Sequence, residues 1–107
     1  MTQSHPFNEL NASDLAPRLS RREVTAEQVV RSCLDRIAER EPEVQAWSHL
    51  DADAALAKAR VLDGGSVQGL LHGLPIGVKD LFDTHDMPTT YGSSIYAGHR
   101  PRADASV

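Results

Sequence analysis

One cysteine in 107 residues, Cys33, leaves nothing for an internal disulfide, so the redox expectation is cytosolic. No apolar run approaches the ~18 residues of a membrane-spanning helix, and no membrane partner is expected. The opening "MTQSHPFNEL" has neither the basic stretch nor the apolar stretch of a secretory signal, so none is expected. Repeats and low-complexity tracts are absent as well. Positive charge is in short supply. Eleven Lys plus Arg stand against fifteen Asp plus Glu, a net charge of −4, with no basic cluster. A nucleic-acid surface normally shows a basic stripe, so direct nucleic-acid binding is not expected.

What is present suits a soluble globular chain, with 40% apolar and 24% charged residues. The length allows one small domain with one core. After a loose lead-in over residues 1–12, Ser13 offers an N-cap for a short helix in "DLAPRLSR", with Leu15 and Leu19 on one face. In "TAEQVVRSCLDRIAERE", Thr25 and Gln28 have the spacing of a capping box, and Ala26, Val30, Cys33, Leu34 and Ile37 recur on one helical face. Pro42 is expected to end that helix. "VQAWSHL" could be extended. Asp51 can cap a third helix, "ADAALAKARVLD", whose small apolar face (Ala55, Leu56, Ala59, Leu62) suits close packing, and Gly64 and Gly65 should stop it.

"LLHGLPIGVKDLF" reads as a buried extended segment with glycine punctuation. The remainder, 83–107, is rich in Thr, Ser, Gly and Pro and reads as loop. The expected organisation is thus helices over about 13–63, a lysine-bearing strand over about 70–82 and a loop-rich segment over 83–107, all within one domain of 1–107. A single strand cannot make a sheet. "RADASV" gives neither a closing turn nor a solvated tail, so the expectation is an α/β fragment whose sheet partners lie beyond Val107. The alternative is a small helical domain with an irregular tail.

Few residues offer chemistry. Gly73, Gly77 and Lys79 give G-x-x-x-G-x-K, which misses the spacing of a phosphate loop and puts Asp80 where a hydroxyl should stand. Asp83, His85 and Asp86, with His72 and His99 further off, have metal-ligand types, but Pro88 beside them favours a polar turn, and no metal is expected. Cys33 lies on an apolar helical face with no obvious base, as a packed thiol would. Trp47 reads as packing. Ser93 and Ser94 in "TYGSSIY" do not match the G-x-S-x-G elbow and suit backbone bonding in a loop.

Lys79 is the remaining candidate. A lysine at a strand end can simply reach for water. If residues 74–80 are extended, however, Pro75, Gly77 and Lys79 share one face and Asp80 points to the other, so Asp80 need not be its ion-pair partner. Gly77 leaves room beside the lysine stem. A buried, unpaired lysine can lose its proton and act as a base, although that requires its pKa to fall by about 3 units from ~10.4.

"GLPIGVKDLFDT", followed by "MPTTYGSSIY" and "RADASV", resembles the opening segment of the amidase signature family, and so does the upstream order of helices. The resemblance covers about Ser13 to Val107. It implies the N-terminal portion of an α/β fold in which helices cover a mixed sheet, incomplete in this chain. It also implies that Lys79 is the base of a Ser–cis-Ser–Lys triad that hydrolyses a carboxylic amide through an acyl-enzyme, without a cofactor. The Gly/Ser-rich signature that supplies both serines in that family is absent here, and Ser93 and Ser94 do not replace it. The chain alone is therefore expected to be inactive. The family also contains the amidotransferase subunit that uses glutamine to convert misacylated Glu-tRNA or Asp-tRNA. A small-molecule amide and, for the transferase, partner subunits follow from the resemblance, a cytoplasmic location from the lone cysteine, and a homodimer of the full-length protein stays open. A rival from another class is a non-catalytic binding module that kept only the opening of the fold.

Overall fold

The computed structural model describes residues 6–106. The described residues of Met1–Ala46 and Asp51–Pro75 form one compact unit, and those of Trp47–Leu50 and Ile76–Val107 form a second.

The first unit is helical. A 3₁₀ turn over Phe7–Glu9 precedes α1 (Ala12–Ser20), α2 (Ala26–Val44) and α3 (Ala52–Gly64). The lead-in expected over 1–12 falls partly outside the described residues. From Phe7 on it is anchored, because the Asn8 amide donates to Ser32 Oγ at 3.1 Å and Ser32 Oγ donates to Asn8 Oδ1 at 2.9 Å. α1 begins one residue before the expected Ser13 cap, with Asn11 in the extended N-cap position. Pro17 sits inside α1 without breaking it.

The capping box of α2 forms as its spacing predicts. Gln28 N–H donates to Thr25 Oγ1 at 3.0 Å, and the Thr25 amide donates to Gln28 Oε1 at 2.9 Å. A second carboxylate serves the same helix end: Asp63 accepts from the amides of Ala26 (2.7 Å) and Glu27 (3.0 Å). All four of the donors that a helix start leaves orphaned are thus paired, and a negative charge faces the positive end of the helix dipole. Pro42 does not end α2. It removes one helical donor, but the helix continues to Val44 and stops where Gln45 turns left-handed (φ 51°) and donates to the Glu41 carbonyl. α3 is capped by Asp51, which accepts from the Ala54 amide at 3.0 Å, and closes at Gly65.

The core lies where these helices meet. Leu15 and Leu19 from α1, Val24, Ala26, Val29 and Val30 at the start of α2, and Ala59 from α3 are buried. Val29, absent from the expected face, is fully enclosed. It flanks Ala26 on the side away from Val30, which makes the buried stripe broader than the expected face. Ala59 allows α3 to approach α2 closely, as its small face predicts. Gly73 closes the unit: its φ is +84°, and a Cβ there would stand 3.1 Å from Leu19 Cδ2 and 3.2 Å from Ala26 Cβ, so only glycine fits.

The second unit is irregular. No strand occurs among the described residues, so the strand expected over about 70–82 is not formed. Residues 70–73 turn, and 74–79 run without ladder bonds before a turn at 80–81. The reason is physical: an extended segment becomes a strand only when a neighbour satisfies its N–H and C=O groups, and none of the described residues supplies one. The mixed sheet is likewise not seen among the described residues. Most of the segment is exposed, Ile76 at 81% and Leu70 at 86%, and its buried residues, His72 and Gly73, belong to the first unit. "VQAWSHL" forms no strand either. A short 3₁₀ helix, Ser94–Tyr96, interrupts the loop expected over 83–107.

Candidate functional site

Lys79 leaves the extended stretch just before the chain turns. Its carbonyl accepts from the amides of Leu81 (2.7 Å) and Phe82 (3.2 Å), and this bends the backbone immediately after the lysine. The lysine side chain is exposed, and its ammonium has no ion pair or hydrogen bond among the described residues. The buried setting that would favour a neutral lysine is thus not present among the described residues.

Asp80 is occupied elsewhere, as the alternation of the two side chains predicts. Its Oδ1 accepts from the Thr90 amide at 2.7 Å, and its Oδ2 accepts from the Thr90 hydroxyl. The backbone amides of Gly92 and Tyr91 also face this carboxylate. The Thr90 hydroxyl, followed by the Thr90 amide, holds the Asp80 carboxyl below its ordinary value, more than desolvation raises it. The residues it grips form a tight turn. Ser93 N–H donates to the Thr90 carbonyl at 2.9 Å, and both central residues have positive φ, Tyr91 at 54° and Gly92 at 71°. That pattern is a type I′ turn, costly for tyrosine and natural for glycine. The Tyr91 hydroxyl donates to Asp83, and its ring meets Tyr96 edge-on at 5.2 Å, so the strained residue is held at both ends.

The room expected beside Gly77 is filled. A Cβ at Gly77 would lie 3.3 Å from Trp47 Cη2, so the indole lies directly against the glycine. Trp47 therefore packs, as expected, and the glycine is required for its approach.

The other candidates fall into structural places. Thr89, 1% exposed, is the buried polar centre of the second unit. Its hydroxyl accepts from the Thr84 amide at 3.2 Å, lies 2.9 Å from Thr84 Oγ1 and reaches the Phe82 carbonyl, while its amide donates to the His99 carbonyl. His85 and Asp86 join Asp104, which the sequence did not bring forward, in a group whose ligand-type atoms lie within 4.8 Å of one another. All three are exposed, and His85 Nδ1 already contacts Asp104 Oδ1 at 2.7 Å. Asp83 instead receives the Tyr91 hydroxyl. In the first unit, His72 is buried, and its Nδ1 accepts the Gln68 amide. Cys33 is half-buried, and burial pushes its thiol up, away from the reactive thiolate. Ser93 accepts from the Ile95 amide, a backbone role, and Ser94 opens the short 3₁₀ helix. No helix among the described residues is long and apolar enough to cross a membrane.

The family model described as "Amidase" matches residues 28–107, which include the whole lysine segment and the Thr90 turn. Among curated relatives, a glutamyl-tRNA(Gln) amidotransferase subunit of Acidothermus cellulolyticus is 47% identical over 100 residues, covering 90% of this chain and 20% of that protein. The protein of the same name from Chloroflexus aggregans is 41% identical over 111 residues, with 100% and 22% covered. "Putative amidase AmiD" of Mycobacterium bovis is 38% identical over 105 residues, with 94% and 22% covered. The chain thus spans about a fifth of the length of the relatives it matches.

Proposed function

This chain belongs to the amidase family, and we propose that it forms the opening of a single amidase domain in which Lys79 is the catalytic base. The observation that carries the reading is the family match across 28–107 with "GLPIGVKD" intact inside it. The geometry is compatible: Lys79 is unpaired among the described residues, and the adjacent carboxylate is committed to Thr90. In the complete domain the extended 74–79 segment would pair into a mixed sheet covered by helices. Ile76 and Val78, exposed here, would then find apolar neighbours, and the lysine stem would lose water. Desolvation lowers a lysine pKa and so supplies a neutral amine.

In that setting Lys79 takes a proton from a bridging serine, which deprotonates the nucleophilic serine. The latter attacks the carbonyl of a carboxylic amide. An acyl-enzyme forms as ammonia or an amine leaves, and water hydrolyses it. Both serines and the backbone donors for the oxyanion would come from the rest of the domain. No cofactor is needed. The location would be cytoplasmic, and the substrate a small-molecule amide.

A second reading has its own support. The relatives at 47% and 41% identity are named as subunits of glutamyl-tRNA(Gln) amidotransferase, against 38% for the protein named as an amidase. On that reading the same lysine chemistry releases ammonia from glutamine, and partner subunits carry it to a misacylated tRNA.

Ammonia release from a panel of primary amides, glutamine included, by the full-length protein tests both. Turnover of several simple amides supports the hydrolase. Turnover of glutamine alone, with partner subunits co-purifying, supports the transferase. No turnover of any amide rejects both. The 107-residue chain alone should release no ammonia.

A further inference from the structure

The structure assigns Asp80 a positioning role: its carboxylate clamps the Thr90–Ser93 turn beside Lys79 and so fixes where the lysine side chain leaves the backbone. This inference rests on the reading of Lys79 as the base. Its geometry does not, because the clamp is seen directly. Asp80 takes both the amide (2.7 Å) and the hydroxyl of Thr90, a two-point grip that a single hydrogen bond could not give. Charged acceptors make the stronger hydrogen bonds, and the Gly92 and Tyr91 amides face the same carboxylate.

The grip matters because of its place in the chain. The Cα atoms of neighbouring residues are ~3.8 Å apart, so holding Asp80 holds the Lys79 Cα. The Lys79 carbonyl is held independently by the Leu81 and Phe82 amides. Two residues upstream, Gly77 lies under the Trp47 ring. Lysine has four rotatable side-chain bonds and no fixed direction of its own. A base of that kind can meet a serine proton at hydrogen-bond distance only if its origin is fixed. The residue that fixes it cannot itself pair with the ammonium without competing for it. Asp80, adjacent in sequence and turned to Thr90, meets both conditions.

The test compares Asp80→Ala, Asp80→Asn and Lys79→Ala in the full-length protein, with kcat and KM measured per folded molecule for an amide that the unaltered protein turns over. Asp80→Ala should lower kcat by about 10²-fold, the loss expected of a displaced catalytic group, and leave KM within about threefold. Asp80→Asn keeps an oxygen for the Thr90 amide and an NH₂ for its hydroxyl, so it should restore kcat to within about tenfold. A residue that merely stabilises the fold would lower the melting midpoint in both variants and leave kcat per folded molecule unchanged. In parallel, amide hydrogen exchange of the 107-residue chain should show Thr90 protected, exposed by Asp80→Ala and protected again by Asp80→Asn. Unchanged kcat in Asp80→Ala overturns the inference, as does an unprotected Thr90 amide in the unaltered chain. Full turnover by Lys79→Ala instead rejects the reading of Lys79 as the base. The exchange measurement still decides whether the clamp exists.

Discussion

In the helical unit, cohesion comes from apolar side chains. Leu19, Ala26, Val29 and Ala59 are each at most 3% exposed, and charged groups serve its helix ends. In the unit that carries Lys79 no apolar side chain among the described residues is buried. Thr89 occupies the centre and accepts from the Thr84 amide, and the carboxylates of Asp80, Asp83 and Asp104 accept hydrogen bonds that tie the loops together. Its apolar residues point the other way: Ile76 and Ile95 are 81% and 87% exposed. Hydrophobic burial organises helices from within a short stretch of chain, whereas an extended segment with exposed apolar residues keeps its shape through polar clamps until a larger surface covers it.

The comparison can be broken most severely in the helical unit. Leu19→Ala should cost about 2–5 kcal/mol, because it opens a cavity among α1, α2 and Gly73. Far-ultraviolet circular dichroism, dominated by the three helices, reads the lower melting midpoint. An unchanged midpoint would mean that the core is not the source of cohesion. The second unit should respond to a polar deletion instead. Thr89→Val keeps the shape but leaves the Thr84 amide without its acceptor, at a cost of about 1–3 kcal/mol. Fluorescence of Trp47, the only tryptophan, reports on this unit. A smaller loss, about 0.5–2 kcal/mol, is expected from Thr25→Ala, which removes the capping box and leaves the Asp63 carboxylate in place.

Acid should distinguish the units further. The Asp80 carboxyl lies below its ordinary value because of Thr90, so its contribution is fully present above the unfolded value of ~3.9 and is lost as pH falls through the lower folded value. Exchange protection of the Thr90 amide should therefore persist to about pH 4 and vanish only below it. Loss near pH 6 would contradict the clamp. The smallest effect belongs to the exposed apolar residues. Ile95→Ser should change stability by no more than about 0.5 kcal/mol while reducing the binding of an apolar dye.

The same contrast explains what the sequence makes legible. Helix starts are local: Thr25 meets Gln28 and Asp51 meets Ala54 within one turn, and the α3 face is readable from its spacing. Pro42 misleads because a proline in a last turn costs one donor without forcing a stop. The clamps are not local. Asp80 and Thr90 are ten residues apart, and His85 and Asp104 are nineteen apart, with no periodicity to join them. The separation of Lys79 from Asp80 was readable from alternation; the partner of Asp80 was not. The strand could not be judged from its own residues, because pairing is a property of two segments. Gly77 gave no sign that Trp47 would occupy the space beside it.

The central claim is that Lys79 is the base of an amidase. It is tested most directly by kcat of Lys79→Ala in the full-length protein, measured alongside its melting midpoint. Removal of a catalytic base from an acyl-transfer triad should lower kcat by about 10³-fold or more. The midpoint should stay within a few degrees, since the ammonium has no ion pair or hydrogen bond among the described residues whose loss would cost stability. Turnover close to that of the unaltered protein would contradict the account.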